Sequence, residues 1–336
     1  MPAGITCQKI ELTLGFIMSD TAELVTIGIT CFNAADTVEK ALESAVKQDW
    51  ANCEIILVDD CSTDESVQIA NVFAYNHRHI RIIEREKNGG PAASRNTILQ
   101  HAKGVFVAFF DDDDISFPWR VRSQIKRLIT FEEETNIRLV ACYASGQRRY
   151  SNGYVKPMPA LGSCGRAMNS VGVVSDYLLL YKKKQGFFYG AGVPACGLLA
   201  RRNTFEKVGG FDESLRRVED ADFAIRLEMQ GGAFAGTSQI AFEQYATNAP
   251  DKSPERNLDA EQKLVKKNKK YLQSHGDYYY ALNWPKLRFF HFKKQYLSFL
   301  KSFFGIFIRY PLRSIFHLIR TGVARLIHER AMHKCN

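Results

Sequence analysis

The chain has 336 residues, 46% of them hydrophobic, enough to bury one large core or two modest ones. Its composition excludes a disordered tract, a collagen and a coiled coil, and no repeat recurs at a fixed period. The formal net charge of +9 belongs to the C-terminal end: Tyr278 to His328 contains nine Lys or Arg and no Asp or Glu, whereas the chain before it is close to neutral.

Residues 1–23 read as an irregular N-terminal extension without the charged start, apolar run and cleavage site of a secretory signal, and a start at Met18 is compatible with that reading. Leu24 to Thr30 (LVTIGIT) is a short, β-rich apolar run that predicts a buried strand. Asn33 and Asp36 precede a helix with apolar positions at Val38, Ala41, Leu42, Ala45 and Val46. Glu54 to Val58 predicts a second strand running into Asp59-Asp60, and Ser62, Thr63 and Asp64 are cap-type residues ahead of a helix at Val67 to Tyr75. Ile80 to Ile83 predicts a third strand. Gly89-Gly90-Pro91 opens another helix, with proline in its tolerated first turn. Val105 to Phe110 predicts a fourth strand, which ends on Asp111, Asp112, Asp113 and Asp114. Further on, strands are expected at Leu139 to Tyr143 and Gly197 to Ala200, with a turn-rich hairpin or loop at Gly146 to Gly165. A helix enters at Val218-Glu219-Asp220 and closes at Gly231-Gly232. Asn248 to Asn257 is a polar connector and Leu258 to Gln273 a charged helix. The eight cysteines form no C-x-x-C pair, so reduced thiols are expected rather than a zinc ribbon.

Strand alternating with helix predicts the α/β class: a Rossmann-like, mostly parallel sheet flanked by helices. Ligands of such sheets bind beyond the carboxyl ends of the strands, which here carry Thr30, Asn33, Asp59, Asp60 and the run Asp111 to Asp114. Like charges crowd in that run unless a cation compensates, and a hard divalent ion takes carboxylate oxygens and bridges to phosphates; the plainer reading is a solvated acidic turn. Asp59-Asp60 can accept hydrogen bonds from a base or ribose, or cap the next helix. The stretch Asn88 to Asn96 offers backbone N–H groups and a helix dipole to an anion, with Arg95 as a further contact, and lacks the G-K-[ST] of a Walker loop. Glu219-Asp220 supplies either a general base for a hydroxyl or an acidic helix start.

Together, VTIGITCFNA at 25–34, EIILVDDCSTDES at 54–66, NGGPAASRN at 88–96, VAFFDDDDI at 107–115, LLARRNTFEKVGGFDES at 198–214 and VEDADFAIRL at 218–227 resemble, in order and spacing, the family-2 glycosyltransferases of GT-A fold. The resemblance implies a nucleotide-sugar-binding half at 24–115 and an acceptor-binding, catalytic half at 116–247. It implies that Thr30, Phe32 and Asn33 flank the nucleotide, that Asp60 bonds the base, usually uracil, and that Asn88, Gly89 and Arg95 help hold it. Asp111 and Asp113 would be the D-x-D pair binding Mn²⁺ or Mg²⁺, with Asp112 on the donor side. Asp220 would be the catalytic base, with Glu219 beside it. Four acids stand in a run where the family has separated ones, so the division between metal and ribose ligands among Asp111 to Asp114 stays open. The implied reaction is inverting transfer of a sugar from a nucleotide-diphospho-sugar, such as a UDP-sugar, to a saccharide or lipid-linked hydroxyl in polysaccharide or glycoconjugate biosynthesis. A nucleotidyltransferase is the main alternative, but TCFNAADT at 30–37 lacks its glycine-rich, basic signature. A non-catalytic membrane-associated relative is the other, and retention of Asp60, Asp113 and Asp220 argues against it.

After a linker and charged helix at 248–284, residues 285–336 read as basic amphipathic helices. Phe289, Phe292, Tyr296, Phe299, Phe303 and Phe307 recur at helical spacing among basic residues, followed by Ile315, Phe316, Ile319, Val323, Leu326 and Ile327. This pattern fits an in-plane helix attracted to anionic lipid through residues 285–330, peripheral on the cytoplasmic face; a pair of core-packing helices is the alternative. Nucleic acid is not expected as a partner.

Overall fold

The computed structural model describes residues 22–245 and 253–334. The expected extension at 1–23, with Met18, lies outside the described residues as far as residue 21, as do residues 246–252 of the connector.

The first half alternates as expected: β1 (Val25–Cys31), α1 (Val38–Val46), β2 (Cys53–Asp59), α2 (Ser66–Tyr75), β3 (Ile80–Glu84), α3 (Pro91–His101) and β4 (Phe106–Asp111). Its strands lie in the order β3-β2-β1-β4, all parallel. Val25, Ile27 and Ile29 of β1 and Ile55 to Val58 of β2 are fully buried, the pattern of strands covered by helices on both faces. One face packs Ile56, Val58, Val107 and Phe109 with α3 and α7 side chains; the other packs Ile27, Leu57 and Phe110 with α1 and α4.

The second half extends the same sheet with β5 (Asp114–Ser116), α4 (Arg120–Thr135), β6 (Val140–Arg149), β7 (Val155–Met158), α5 (Val174–Leu180), β8 (Leu198–Arg201), α6 (Arg202–Val208), α7 (Glu219–Met229) and β9 (Ala233–Tyr245). The order continues β4-β8-β6-β9-β5, with β7 on the flank of β6. Here the parallel rule gives way: β8 runs antiparallel to both β4 and β6, and β5 antiparallel to β9, while β6 and β9 are parallel. Strand β9 has no counterpart among the expected elements. Its middle, Ser238 to Ile240, faces solvent between two buried stretches, and its register with β6 shifts near Tyr143 and Ser145, so no clean alternation marks it in the sequence. The turn-rich segment after Gly146 is the β6–β7 hairpin.

Five helices follow: α8 (Pro254–Lys267), α9 (Lys269–Ser274), α10 (Tyr278–Phe292), α11 (Tyr296–Arg309) and α12 (Pro311–Lys334). Ser253 caps α8 by accepting from the Arg256 N–H, with Pro254 in the first turn, so the charged helix begins earlier than expected and breaks at Asn268. Leu264, Val265, Leu272, Tyr280, Trp284, Leu287 and Ile306 form a third core that includes Leu215 and Ile225 of the catalytic half. The expected aromatic stripe is therefore divided. Lys294 adopts φ +55° between α10 and α11, and Phe299 and Phe303 turn inward onto the third core. Leu297, Leu300, Phe304 and Ile308 on α11 and Leu312 on α12 face out, as do Phe292 and Tyr296 of the expected stripe and Ile315, Phe316, Ile319 and Val323 of the expected second stretch. Leu326 and Ile327 lie outside the described side chains. Among the described residues no helix is long and apolar enough to cross a membrane.

Candidate active site

The register of the parallel strands sets the site. Thr30 pairs with Asp111 and Cys31 with Asp59, so the polar ends of β1, β2 and β4 finish level on one edge. The loops above them are tied by side chain-to-backbone bonds. Ser62 Oγ and Ser66 Oγ accept from the N–H groups of Asn33 and Ala34 at 2.8 and 2.7 Å, and Asn33 Oδ1 accepts from Thr63 N at 2.8 Å. Phe32 N donates to Asp112 Oδ2 at 2.8 Å, which ties the first loop to the acid run. These bonds leave the Phe32 ring half exposed over a cavity of about 1350 Å³. Thr30, Phe32, Asn33, Asp60, Asn88, Arg95, Asp111, Asp112, Asp113 and Glu219 all border that cavity. Gly89 sits behind its rim; the glycine on the cavity is Gly90, whose φ of +81° suits glycine at the start of α3.

Asp60 is almost completely buried. Its carboxylate accepts from Gly89 N at 2.9 Å and Gly90 N at 2.7 Å and pairs with Arg85. A carboxylate has about four lone-pair sites, of which these bonds use three, and Asp60 borders the cavity. Arg85 and this use of Asp60 as the anchor of the glycine turn were not legible in the sequence.

Arg95, expected as a phosphate or carboxylate contact that helps hold the nucleotide, borders the cavity and meets carboxylates. It is buried on α3 and donates to Glu219 Oε1 at 2.6 Å and to Asp111 Oδ1 at 3.2 Å. The guanidinium thus joins the end of β4 to the start of α7, and both acids pull its proton affinity above the usual arginine range despite burial. Glu219, expected beside the base, is thus held in a buried ion pair with Arg95.

Asp220 follows Glu219 in the first turn of α7 and, unlike it, is not among the residues that border the cavity. Its carboxylate accepts from the neighbouring Ala221 N–H at 2.7 Å. Burial, then the charge of Glu219, push it up to about 7, with Arg95 opposing. Val218, just before this pair, adopts φ +61°, a strained conformation for a β-branched residue that aims the first turn of α7.

The acid run divides by direction. Asp114 and Cys196 point into the protein, where burial raises the proton affinity of both well above the ordinary range. Buried Arg120, which the sequence did not mark, braces them: it donates to Phe109 O and Ser116 Oγ, both at 2.7 Å, and stacks 4.1 Å from the Phe110 ring. Asp111, Asp114 and Cys196 do bring three ligand atoms within 4.8 Å of one another, but a protonated soft thiol is a poor ligand for a hard cation. Asp111, Asp112 and Asp113 all border the cavity with oxygen donors. Of these, Asp112, through burial and the neighbouring charges of Asp113 and Asp111, is pushed up to about 8. Carboxylate oxygens gathered at the cavity edge fit a divalent ion of the Mg²⁺ or Mn²⁺ type.

Comparison with known proteins agrees with this arrangement. A family model described as glycosyl transferase family 2 matches residues 26–190. EpsE of Bacillus subtilis (strain 168), named as a glycosyltransferase, is 37% identical over 212 residues, which cover 62% of this chain and 67% of that protein. WfaP of Escherichia coli, named as a UDP-Glc:alpha-D-GlcNAc-diphosphoundecaprenol beta-1,3-glucosyltransferase, is 28% identical over 209 residues, or 62% of this chain and 70% of that one. The chain spans a smaller share of other curated relatives, 36% and 53% of the length of two of them. Among solved structures, S. aureus TarS 1-349 in complex with UDP shares the fold with a TM-score of 0.54 at 21% identity, over 81% of this chain and 73% of that one. With its GT-A sheet, its acid run at the end of β4 and these relatives, the chain belongs to glycosyl transferase family 2.

Proposed function

We propose that this protein is an inverting glycosyltransferase that moves a sugar from a nucleotide-diphospho-sugar to a hydroxyl of a saccharide or lipid-linked acceptor in polysaccharide biosynthesis. The observation that carries the reading is the Glu219–Arg95–Asp111 bridge, which locks a carboxyl tuned to about 7 beside the acid run. Residues 24–115 hold the donor and residues 116–247 present the acceptor. Thr30, Phe32 and Asn33 flank the base, Asp60 bonds it through its remaining lone pair, and Asn88 and the Gly89-Gly90 turn support it. Asp111 and Asp113 hold a Mn²⁺ or Mg²⁺ ion, with Asp112 on the donor side. When bound, that ion neutralises the charge that develops on a leaving diphosphate. Asp220 takes the proton of the acceptor hydroxyl as it attacks the anomeric carbon from the face opposite the leaving group, so configuration inverts. A base poised near 7 is half ionised at neutral pH and still basic enough to accept that proton. Arg95 holds α7 at the distance from β4 that this attack requires.

The donor is a UDP-sugar in this reading: WfaP is named for a UDP-Glc donor, and the TarS complex contains UDP. The exposed stripe of α11 and α12, with Lys293, Lys294, Lys301, Arg309 and Arg320 on the same stretch, holds the enzyme on an anionic membrane surface at its cytoplasmic face, where lipid-linked acceptors are presented. The test is a nucleotide-release assay on the full chain with a panel of nucleotide sugars, with and without Mn²⁺ and a chelator. Metal-dependent release from at least one donor, lost in Asp220→Asn, is expected; release that ignores both chelator and substitution defeats the reading.

A further inference from the structure

The same cavity also carries a group of cations. Where the segment before α7 and helix α8 border it, they contribute Arg216, Arg217, Arg256 and Lys263. Arg216 donates to Asn88 Oδ1 at 2.7 Å and to the Asn88 carbonyl at 2.9 Å. Both acceptors are neutral, so they fix the guanidinium without cancelling its charge. Lys263 pairs with Asp259 at 2.8 Å, with side chains 55% and 64% exposed, a solvated pair that yields readily to a phosphate.

Helix α8 is fixed rather than loosely appended. Leu264 and Val265 are buried in the third core, and Lys267 lies 2.7 Å from Asp222 and 2.5 Å from Asp212. Asp222 belongs to the first turn of α7, so the helix that supplies Arg256 and Lys263 is clamped to the one that carries Asp220. Arg216 and Arg217 lead into that same turn. An anion held by these cations therefore lies on the cavity wall beside the segment that leads into the first turn of α7. From α8 the chain continues into α10, α11 and α12, whose outward apolar stripe is suited to lipid.

We propose that Arg216, Arg217, Arg256 and Lys263 form a phosphate subsite for the acceptor: the acceptor carries a phosphate or diphosphate between sugar and lipid, held here while its hydroxyl reaches Asp220. The proposal rests on the glycosyl-transfer reading and names the acceptor class within it. Calorimetry on the full chain tests it. UDP, GDP and dTDP are titrated first in the presence of Mg²⁺, and the tightest is kept saturating while farnesyl diphosphate or farnesol, each below its aggregation limit, is added. Farnesyl diphosphate should bind the nucleotide-filled protein, and farnesol should not. Arg256→Ala with Lys263→Ala should weaken farnesyl diphosphate by at least about tenfold, since charged hydrogen bonds are lost, with nucleotide affinity changed by less than about twofold. Both side chains are exposed, and a thermal melt checks that the variant stays folded. Competition between farnesyl diphosphate and the nucleotide would assign the cations to the donor and overturn the proposal. So would equal binding of farnesol, or an affinity that ignores the double substitution. If no nucleotide binds, the donor reading fails by itself, while farnesyl diphosphate binding to the nucleotide-free protein and its loss in the variant still report on the subsite.

Discussion

At the ends of β1, β2 and β4, charge is crowded, largely buried and held by groups from distant parts of the chain; on α11 and α12, charge is exposed and large apolar side chains face outward. Burial turns ordinary acids into tuned ones: Asp112 rises to about 8 and Asp220 to about 7 because neither can shed its charge into water. On the outer helices, exposed basic side chains stand beside apolar area left uncovered. One chain thus separates a desolvated polar edge from an outward apolar and basic face, with α8 and α10 packed in the core between them.

Four experiments press on that contrast. The largest effect is expected at Asp113→Ala, which should take transfer to background in a nucleotide-release assay with the melt unchanged, because Asp113 borders the cavity and not the core. Activity that survives both this change and a chelator would remove the metal from the acidic edge. Next comes Asp220→Asn, expected to lower turnover by ~10²–10⁴-fold with donor affinity unaltered. In the parent enzyme kcat/KM should rise with pH around 7, because the base works only when deprotonated and burial has raised its affinity for the proton. The variant should lose that limb; a limb that persists places the base elsewhere.

The third experiment asks whether the C-terminal helices are a detachable tail. Trp284 is buried and stacks on His317 at 3.8 Å, so Trp284→Ala should destabilise the whole protein by about 3–5 kcal/mol, read by denaturant melts. A chain cut before Trp284 would strip that core too, which makes point substitutions the cleaner membrane probe. An unchanged melt would mean the helices fold apart from the catalytic half. The smallest effect is set for Phe304→Ser, on the outward face of α11. Flotation with anionic liposomes should weaken about tenfold, the loss of one inserted aromatic side chain, and the melt should not move. High salt should strip the parent protein only in part, since it screens the charges and not the apolar contact. Equal flotation of parent and variant at both salt levels would make the stripe a contact for something other than lipid.

Much of the catalytic edge was legible from local patterns. Apolar runs ending in Asp59-Asp60 and in Asp111 to Asp114 predict parallel strands and place those acids together, because parallel strands all end on one side. Strand β9 was not legible: its solvent-facing middle breaks the alternation that would have announced it. Nor was the fate of Phe299 and Phe303, since helical spacing shows that residues share a face and not what that face meets.

What the sequence alone determined is therefore the class of fold, the edge where ligands bind and the family, all of which follow from short-range periodicity and contiguous motifs. Only the tertiary structure decided between equal-looking acids and cations. It paired Arg95 with Glu219 across 124 positions, desolvated Asp220, turned Asp114 inward, and carried Arg256 and Lys263 from a C-terminal helix to the wall of the cavity. The physical reason is that the role of an ionisable group depends on its partners and its share of water, and both are set by residues far away in the chain.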